Sequence, residues 1–218
     1  MILRYYGHSL FTLALESGLT VATDPYGDFY GYPRRRLKAD LATVSHHHHD
    51  HDALEMLQGV RQVIDAPGAY YPARDLTVTG IATWHDEQRG AQRGENTVFI
   101  LQAEGLRLVH LGDLGHVLTD RQCAAIGTPD VLLTPVGGRY TTDAPAALEN
   151  VRRLRPRITI PMHYRTPYDP EMPIETERPF LALMGAEPAP LPLCRLSAGD
   201  IGERPSVLLL GVTPPGAA

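Results

Sequence analysis

The chain of 218 residues has few cysteines and no long apolar segment. Cys123 and Cys194 lie far apart and belong to no short metal-ligand spacing, so we expect reduced thiols. No stretch approaches the ~18 apolar residues that a bilayer-spanning helix needs. The first residues also lack the basic, apolar and small-residue succession of a secretory signal. These absences predict a cytoplasmic protein without membrane association.

Positive charge is scarce as well. The formal net charge is -5, and Lys38 is the only lysine. Because nucleic-acid-binding proteins usually carry a basic excess, we expect a small-molecule substrate and no nucleic-acid partner. The content of 43% hydrophobic and 21% charged residues is typical of globular proteins. No linker or repeat is evident, so we predict one domain over residues 1–218, with a frayed tail at about 212–218.

Histidine, by contrast, is concentrated in an internal run, Ser-His-His-His-His-Asp-His-Asp at residues 45–52. It contains the spacing His-x-His-x-Asp-His, formed by His46, His48, Asp50 and His51. The run is interrupted by an aspartate and follows an apolar segment, unlike a purification tag. Imidazole nitrogens and a carboxylate oxygen suit zinc, manganese or iron better than calcium. The run therefore predicts a metal site, and the alternative is a solvated polar turn.

The apolar pattern predicts strands first and helices later. Strands are expected at residues 10–15, 19–23, 39–45, 62–65, 76–81, 97–102, 106–111, 131–134 and 158–161, with a late pair near 193–196 and 207–210. Helices are expected at residues 52–59, 119–126, 144–154 and 177–184. This order predicts a mixed α/β class with a substantial antiparallel share. The segment 26–38, rich in Gly, Tyr and Arg, is predicted to be an exposed loop.

Several predicted strands end in a residue of metal-ligand type. His85 follows Ile-Ala-Thr-Trp, Asp113 follows Val-His-Leu-Gly, and His163 follows Ile-Thr-Ile-Pro-Met. Loops at strand ends are where a rigid scaffold presents functional side chains. Together with the histidine run, these endings form a series that predicts one site assembled from several parts of the chain.

The series resembles the metallo-β-lactamase fold superfamily, most closely its single-domain branch of metal-dependent hydrolases related to the L-ascorbate-6-phosphate lactonases. The matching segments are Tyr6-Gly7-His8-Ser9, Thr23-Asp24-Pro25, the run at 46–51, His85-Asp86, Arg93-Gly94-Glu95-Asn96, residues 110–116 and Pro161-Met162-His163-Tyr164. They cover roughly residues 1–165 in the family's order. The resemblance implies an αββα sandwich of two mixed β-sheets flanked by helices, with the site at one edge of the sheets.

The resemblance also implies two divalent metal ions, with zinc favoured and manganese or iron as alternatives. The implied ligands are His46, His48 and His85 for the first ion, Asp50, His51 and His163 for the second, and Asp113 between them. Two such ions would share a hydroxide and lower its pKa. Asp50 is in addition a candidate catalytic residue that orients the hydroxide and accepts its proton.

Four further residues are candidates with a structural alternative. His8 either lines the pocket or hydrogen-bonds within the sheet. Asp24 resembles the family's aspartate behind a ligand histidine, and the alternative is an ordinary Asp-Pro turn. His116 and Tyr140 are candidates for the catalytic leaving-group acid or an oxyanion donor, and equally for packing. The other histidines, His47, His49 and His110, are expected to stay outside the ligand set.

We therefore predict a metal-dependent hydrolase that attacks an ester, lactone or phosphoester of a small substrate, with anionic substrates included. The lactone or ester subclass and the phosphodiesterase or nuclease subclass stay open. A di-iron redox or metal-binding protein on the same fold is the alternative from another class. The loop at 26–36 suits a contact in a homo-oligomer, a substrate lid or a solvated loop.

Overall fold

The computed structural model describes residues 1–28, 31–33, 36–199, 201–202 and 204–214. Within these residues the strands form two large mixed sheets and a two-stranded ribbon. The six-stranded sheet has the order β14 (Cys194–Arg195), β1 (Ile2–Gly7), β2 (Leu10–Ala14), β3 (Thr20–Thr23), β5 (Leu41–Thr43) and β7 (Gln62–Ile64). Its first four strands are antiparallel neighbours, and β3, β5 and β7 are parallel.

The seven-stranded sheet combines a parallel half with an antiparallel half. Its order is β15 (Ser206–Val207), β13 (Ile158–Met162), β12 (Val131–Pro135), β11 (Leu106–His110), β10 (Glu95–Ala103), β9 (Leu76–Trp84) and β8 (Gly68–Ala73). The strands from β15 to β11 are parallel, and those from β11 to β8 are antiparallel. Apolar side chains of both sheets form one buried core, in which Phe11 of β2 and Phe99 of β10 are fully buried.

Three α-helices accompany the seven-stranded sheet: α1 (Asp120–Ile126), α2 (Ala144–Leu154) and α3 (Arg178–Met184). Thr119 begins α1 with a capping box, and the carboxylate of Asp143 caps the first turn of α2. Helix α1 packs against β9, and α2 packs against β12 and α3. Of the helices in the described ranges, none has the length and apolar content that crossing a bilayer requires.

The predicted α/β sandwich of two mixed sheets is confirmed, but the predicted helix over residues 52–59 is wrong. A single 3-10 turn, Leu54–Met56, is followed at once by β6 (Leu57–Gln58), which pairs with β4 (Leu37–Lys38). So short a segment gains little from helix propagation. Leu57 is instead buried in the small apolar cluster beside the six-stranded sheet.

Two tyrosines of the predicted exposed loop are buried. Tyr26 and Tyr32 are 2% and 6% exposed, contrary to the prediction of a loop with exposed aromatic residues. The Tyr26 hydroxyl donates to the Tyr6 carbonyl at 2.6 Å, and the Tyr32 hydroxyl accepts the backbone N–H of His8 at 3.3 Å. Burial is tolerated because the hydroxyls are hydrogen-bonded. Positions 29, 30, 34 and 35 of this predicted loop lie outside the described residues.

Three smaller features complete the comparison with the sequence analysis. The two late strands lie near their predicted ranges and belong to different sheets, because β14 joins β1 and β15 joins β13. The edge strand β8 was not predicted, since its glycine, proline and exposed tyrosine obscure the pattern. The frayed tail does not begin at 212: Val212 bridges to Tyr5, and the buried Thr213 donates its N–H to the Tyr5 carbonyl. Residues 215–218 of that prediction lie outside the described part.

Strand directions bring six strand ends to one edge of the sandwich. In the first sheet β1, β3 and β5 run the same way, as do β9, β11 and β13 in the second. The two sheets meet at this edge, where the N–H of His163 donates to the His8 carbonyl at 2.9 Å. Each of these six strands is followed within three residues by a side chain that the sequence analysis selected.

Asn150 ties helix α2 to the loop that follows β11 at this edge. It is fully buried, its Oδ1 accepts the Leu118 N–H at 2.8 Å, and its Nδ2 donates to the His116 carbonyl at 3.2 Å. Both backbone groups would lose their partner if this side chain were removed. Asn150 therefore supports the loop that carries Asp113.

We expect Asn150→Ala to lower the free energy of unfolding by about 2–4 kcal/mol, since two buried backbone groups each lose a hydrogen bond. Urea unfolding followed by circular dichroism measures this change. Arg152→Ala, an exposed position of the same helix, is the control and should shift stability by less than about 0.5 kcal/mol. Equal stability of the two variants would contradict the supporting role of Asn150.

Candidate metal centre

Asp113 is the point at which the candidate ligands meet. Its Oδ2 lies 3.2 Å from Nε2 of His51, 3.4 Å from Nε2 of His85 and 3.2 Å from Nε2 of His163. The side chain is 2% exposed. Burial alone would raise the pKa of Asp113, but His163 and His51 outweigh it and hold the pKa well below its usual range. The carboxylate is therefore ionised and faces three imidazole nitrogens.

The backbone around Asp113 is held by its neighbours. The Asn96 Oδ1 accepts the Asp113 N–H at 2.9 Å, while the Asn96 Nδ2 donates to the Leu111 carbonyl at 3.0 Å. Gly112 adopts φ +58, and an added Cβ there would lie 2.4 Å from Asn96 Oδ1 and 2.5 Å from Ser45 Cβ. Only glycine fits such a left-handed turn against these two side chains. The position of the carboxylate is thus defined before any ligand binds.

A first group of donor atoms comes from the histidine run and β9. One nitrogen each of His46, His48 and His85 lies within 4.8 Å of the others. His46 and His85 are buried, whereas His48 is exposed toward the cavity in front of the centre. Burial lowers the pKa of His46 to about 3, with His51 adding to the effect. Its imidazole is therefore neutral, the form that a metal ion requires.

A second group of donor atoms comes from His8, His51 and His163. One nitrogen of each of these three residues lies within 4.8 Å of the other two. The Asp50 Oδ2 is 3.4 Å from His8 Nε2 and 4.0 Å from His51 Nε2. His8 therefore lies among the donor atoms, a closer position than either alternative of the sequence analysis, pocket lining or a hydrogen bond within the sheet, described. Burial lowers the pKa of the His8 side chain to about 3. Asp50 is near this group and borders the cavity.

Asp24 lies behind the second group, on the other side of the His51 ring from Asp113. Its Oδ2 is 3.0 Å from His51 Nδ1 and accepts the Ser45 hydroxyl at 2.6 Å, and its Oδ1 accepts the Ser45 N–H at 2.8 Å. Burial opposes a charge on His51, yet the carboxylates of Asp113 and Asp24 raise the pKa of His51 well above its usual value. Asp24 thus orients the ring so that Nε2 points at Asp113.

Three residues of the centre have a backbone conformation that L side chains rarely adopt. His8, Asp24 and His163 have φ angles of 53°, 40° and 50°. Each of these residues directly follows the last residue of a strand at the shared edge. Left-handed backbone at non-glycine residues typically costs on the order of 1–3 kcal/mol and is found at functional sites. The strain turns all three side chains into the centre instead of continuing the strands.

The donor set fits divalent metal ions. Six imidazoles, five of them buried, and the carboxylates of Asp50 and Asp113 offer nitrogen and oxygen atoms whose separations suit shared coordination. Nitrogen-rich sites of this kind accept zinc, manganese or iron. The Oδ2 of Asp113 touches His85 of the first group and His51 and His163 of the second. That position corresponds to the predicted bridging ligand.

A cavity of about 700 Å³ opens in front of the centre, and we call it the metal cavity. Its walls include His48, Asp50, His85, Asp113, His163 and Tyr140. Tyr140 thus has access to a bound substrate, as its candidate role requires. The guanidinium carbons of Arg93 and Arg139 lie 5.8 and 5.6 Å from the centre of its ring.

His116 is not among the residues that line the metal cavity, and its contacts favour the packing alternative of the sequence analysis over a catalytic acid. Its Nδ1 donates to the Val117 carbonyl at 2.8 Å, and its Nε2 accepts the Trp84 N–H at 3.3 Å. Both ring nitrogens therefore serve the backbone of the surrounding loops. His116 positions the residues before His85 and has no nitrogen left for proton transfer.

The three remaining histidines lie at different distances from the metal centre. His110 is fully buried and bonds the Ser9 carbonyl through Nε2 and the Gly112 N–H through Nδ1, which is a structural role. His47 is exposed and lies 3.4 Å from Asp65, away from the centre. His49 is exposed but borders the metal cavity, so it is nearer to a bound substrate than expected.

Two residues beside the centre, Asp86 and Arg93, were not singled out by the sequence analysis. The Asp86 carboxylate accepts the N–H groups of Gln88, Gly90, Gln92 and Arg93 at 2.7–2.9 Å. Burial would raise its pKa, but these bonds lower the pKa of Asp86 to about 2. Arg93 borders the metal cavity. A sequence signal existed, because both lie in segments that match the family series.

Comparison with known proteins gives a consistent result. A family model described as a beta-lactamase superfamily domain matches residues 2–163. A UPF0173 metal-dependent hydrolase of Carboxydothermus hydrogenoformans is 32% identical over 76% of this chain and 85% of its own length. One from Staphylothermus marinus is 28% identical over 76% of this chain and 84% of its own length.

Solved structures agree with this match. A proposed Zn-dependent hydrolase of the metallo-beta-lactamase superfamily from Thermotoga maritima is 34% identical, with a TM-score of 0.79 over 96% of this chain and 98% of that chain. Igni18, a metallo hydrolase from Ignicoccus hospitalis, is 25% identical, with a TM-score of 0.65 over 85% of this chain and 92% of that chain. The chain therefore belongs to the metallo-beta-lactamase superfamily, within its metal-dependent hydrolases.

Proposed function

We propose that this protein binds two divalent metal ions, zinc foremost, and hydrolyses an ester, lactone or phosphoester of a small substrate. The observation that carries the proposal is the position of Asp113, whose Oδ2 contacts ring nitrogens of both histidine groups. A carboxylate in that position supports a bridging role between two ions. His46, His48 and His85 would hold one ion, and His51, His163 and Asp50 the other.

Two such ions, when bound, would lower the pKa of a shared water and polarise the substrate oxygen. Asp50 borders the metal cavity, and His8 opposes the effect of burial and lowers the pKa of this carboxyl. As an ionised carboxylate it would orient the attacking water and accept its proton. Tyr140, on the same cavity, would donate a hydrogen bond to the leaving group or to the developing oxyanion.

The dimensions of the metal cavity favour a small substrate. About 700 Å³ falls within the range of pockets for small molecules. Methionine and proline side chains, Met172 and Pro173, contribute apolar surface beside the polar groups of the centre. The cytoplasmic location, the absence of a nucleic-acid partner and a homo-oligomeric state stay predictions.

We expect Asp113→Ala to lose bound metal and activity together, because it removes the group shared by both histidine sets. Wild-type protein purified without chelator should contain close to two divalent metal ions per chain, as measured by inductively coupled plasma mass spectrometry. It should cleave at least one member of a panel comprising 4-nitrophenyl acetate, γ-thiobutyrolactone and bis(4-nitrophenyl) phosphate. Asp65→Ala, an exposed position near the run, is the control and should keep both properties.

Full turnover by chelator-treated protein would overturn the metal-dependent mechanism. A stoichiometry of one ion with normal turnover would overturn the binuclear version alone. Iron with a visible absorption band and no turnover on the panel would favour the redox alternative. Circular dichroism of Asp113→Ala distinguishes lost metal from lost fold.

Asp24→Asn should weaken metal binding about 10–100-fold, because His51 loses the carboxylate that orients its ring. Asparagine tolerates the left-handed backbone at this position, so the change removes charge with little added strain. Competition with a chromophoric chelator measures the affinity. Asp65→Asn removes the same charge close to His47 and should leave the affinity unchanged. Equal affinities in both variants would contradict the orienting role of Asp24.

A further inference from the structure

Arg93 is a cation on the wall of the metal cavity that the mechanism above does not use. Among the described residues that border this cavity, it is the only arginine or lysine. Its side chain is half-buried, and no carboxylate of the described residues forms an ion pair with it. A partly desolvated guanidinium without a carboxylate partner favours an anionic ligand.

The Arg93 side chain is held in place before a ligand arrives. Its Nη2 donates to the Arg139 carbonyl at 3.0 Å, and its guanidinium carbon lies 5.8 Å from the centre of the Tyr140 ring. One of its five N–H donors is used in this way, and the planar group keeps others for a carboxylate or phosphate. The contact with the aromatic ring also restricts its rotamers.

The backbone beneath Arg93 is fixed by Asp86. Its Oδ1 accepts the Gln88 and Gly90 N–H groups at 2.7 and 2.9 Å, and its Oδ2 accepts the Gln92 and Arg93 N–H groups at 2.9 and 2.8 Å. Asp86 directly follows His85, a candidate metal ligand. One rigid loop, residues 86–93, therefore sets the separation between the metal centre and the guanidinium.

Two acidic residues on the wall of the metal cavity limit how much negative charge a ligand carries. Asp169 and Glu171 border the same cavity, together with Met172 and Pro173. Two acidic side chains would repel an extended polyanion, while the apolar pair would accept an uncharged portion of a substrate. The wall chemistry thus favours one anionic group located at Arg93.

We propose that Arg93 binds a single carboxylate or phosphate group that the substrate carries beside its scissile bond, and that Asp86 is a positioning residue for Arg93. The substrate class is then a small anionic ester, lactone or phosphoester. This inference rests on the proposed metal-dependent function, because the scissile bond must lie at the metal centre of the same cavity.

Thiol ligands of zinc provide the test, since a thiolate binds the metal centre while the other end of the molecule samples Arg93. Titration calorimetry on zinc-loaded protein compares mercaptoacetate and 3-mercaptopropionate with their uncharged amides. A third acid, 2-mercaptoethylphosphonate, separates phosphate-type from carboxylate-type recognition. Two carboxylate chain lengths sample the separation of the two ends.

We expect at least one acid to bind about 10-fold or more tightly than its amide in the wild type, as a good bidentate contact provides. Arg93→Gln should reduce this advantage below about 3-fold and leave the affinity of the amide unchanged. Arg89→Gln removes the same charge from an exposed position of the loop and should keep the advantage. Arg93→Lys should recover part of it, because the charge stays and the planar fork is lost.

The positioning role of Asp86 has its own readout. Asp86→Asn loses acceptor capacity for the loop amides, so the advantage of the acid should fall while zinc content stays near the wild-type value. Loss of zinc and of the advantage in equal measure would contradict positioning. In that case Asp86 would support His85 and not Arg93.

Two negative outcomes overturn different statements. Equal affinity of acids and amides for the wild-type protein, or an unchanged advantage in Arg93→Gln, would overturn the anion site and leave the metal centre intact. Failure of every thiol to bind zinc-loaded protein would overturn the proposed metal centre and this inference with it.

Discussion

The structure depends on one buried negative charge, the carboxylate of Asp113. Placing a carboxylate away from water is unfavourable unless cations or hydrogen-bond donors surround it. Three ring nitrogens within 3.4 Å provide that environment, and each comes from a different part of the chain. The shared edge of the two sheets is the place where strand ends from both halves can meet around it.

Maintaining this convergence requires departures from ordinary local structure. His8, Asp24 and His163 adopt left-handed backbone, and the bond from the His163 N–H to the His8 carbonyl connects the two sheets at that point. Strain of this kind persists only where surrounding contacts determine the conformation. The large buried core and the hydrogen bonds of Asn96, Ser45 and Asp24 provide those contacts. Stability of the sandwich is thus used to hold a few side chains in one arrangement.

Much of this arrangement was predictable from the sequence, because it follows from local spacing. The His-x-His-x-Asp-His run and the polar residues after apolar strands carry their own signal, and α2 has the predicted bounds of 144–154. The remainder depends on distant partners. Residues 52–59 form a turn and a short strand because Leu57 is buried against another segment. His116 was a candidate proton donor, but the Trp84 N–H and the Val117 carbonyl occupy its ring nitrogens. The segment that pairs with Leu57 and the contact with Trp84 both lie far along the chain, so the local sequence does not show them.

The loop of residues 86–93 begins next to His85 of the candidate metal centre and ends at Arg93 on the wall of the metal cavity. The carboxylate of Asp86, which directly follows His85, accepts backbone N–H groups of the loop as far as Arg93 and so fixes the loop backbone. A guanidinium already held by a carbonyl and an aromatic ring loses little further freedom when an anion binds, so more of the contact energy favours the complex. The same loop leaves the Asp113 contacts untouched. Under the proposed function, selection among anionic substrates would change through this loop while the metal centre keeps its geometry.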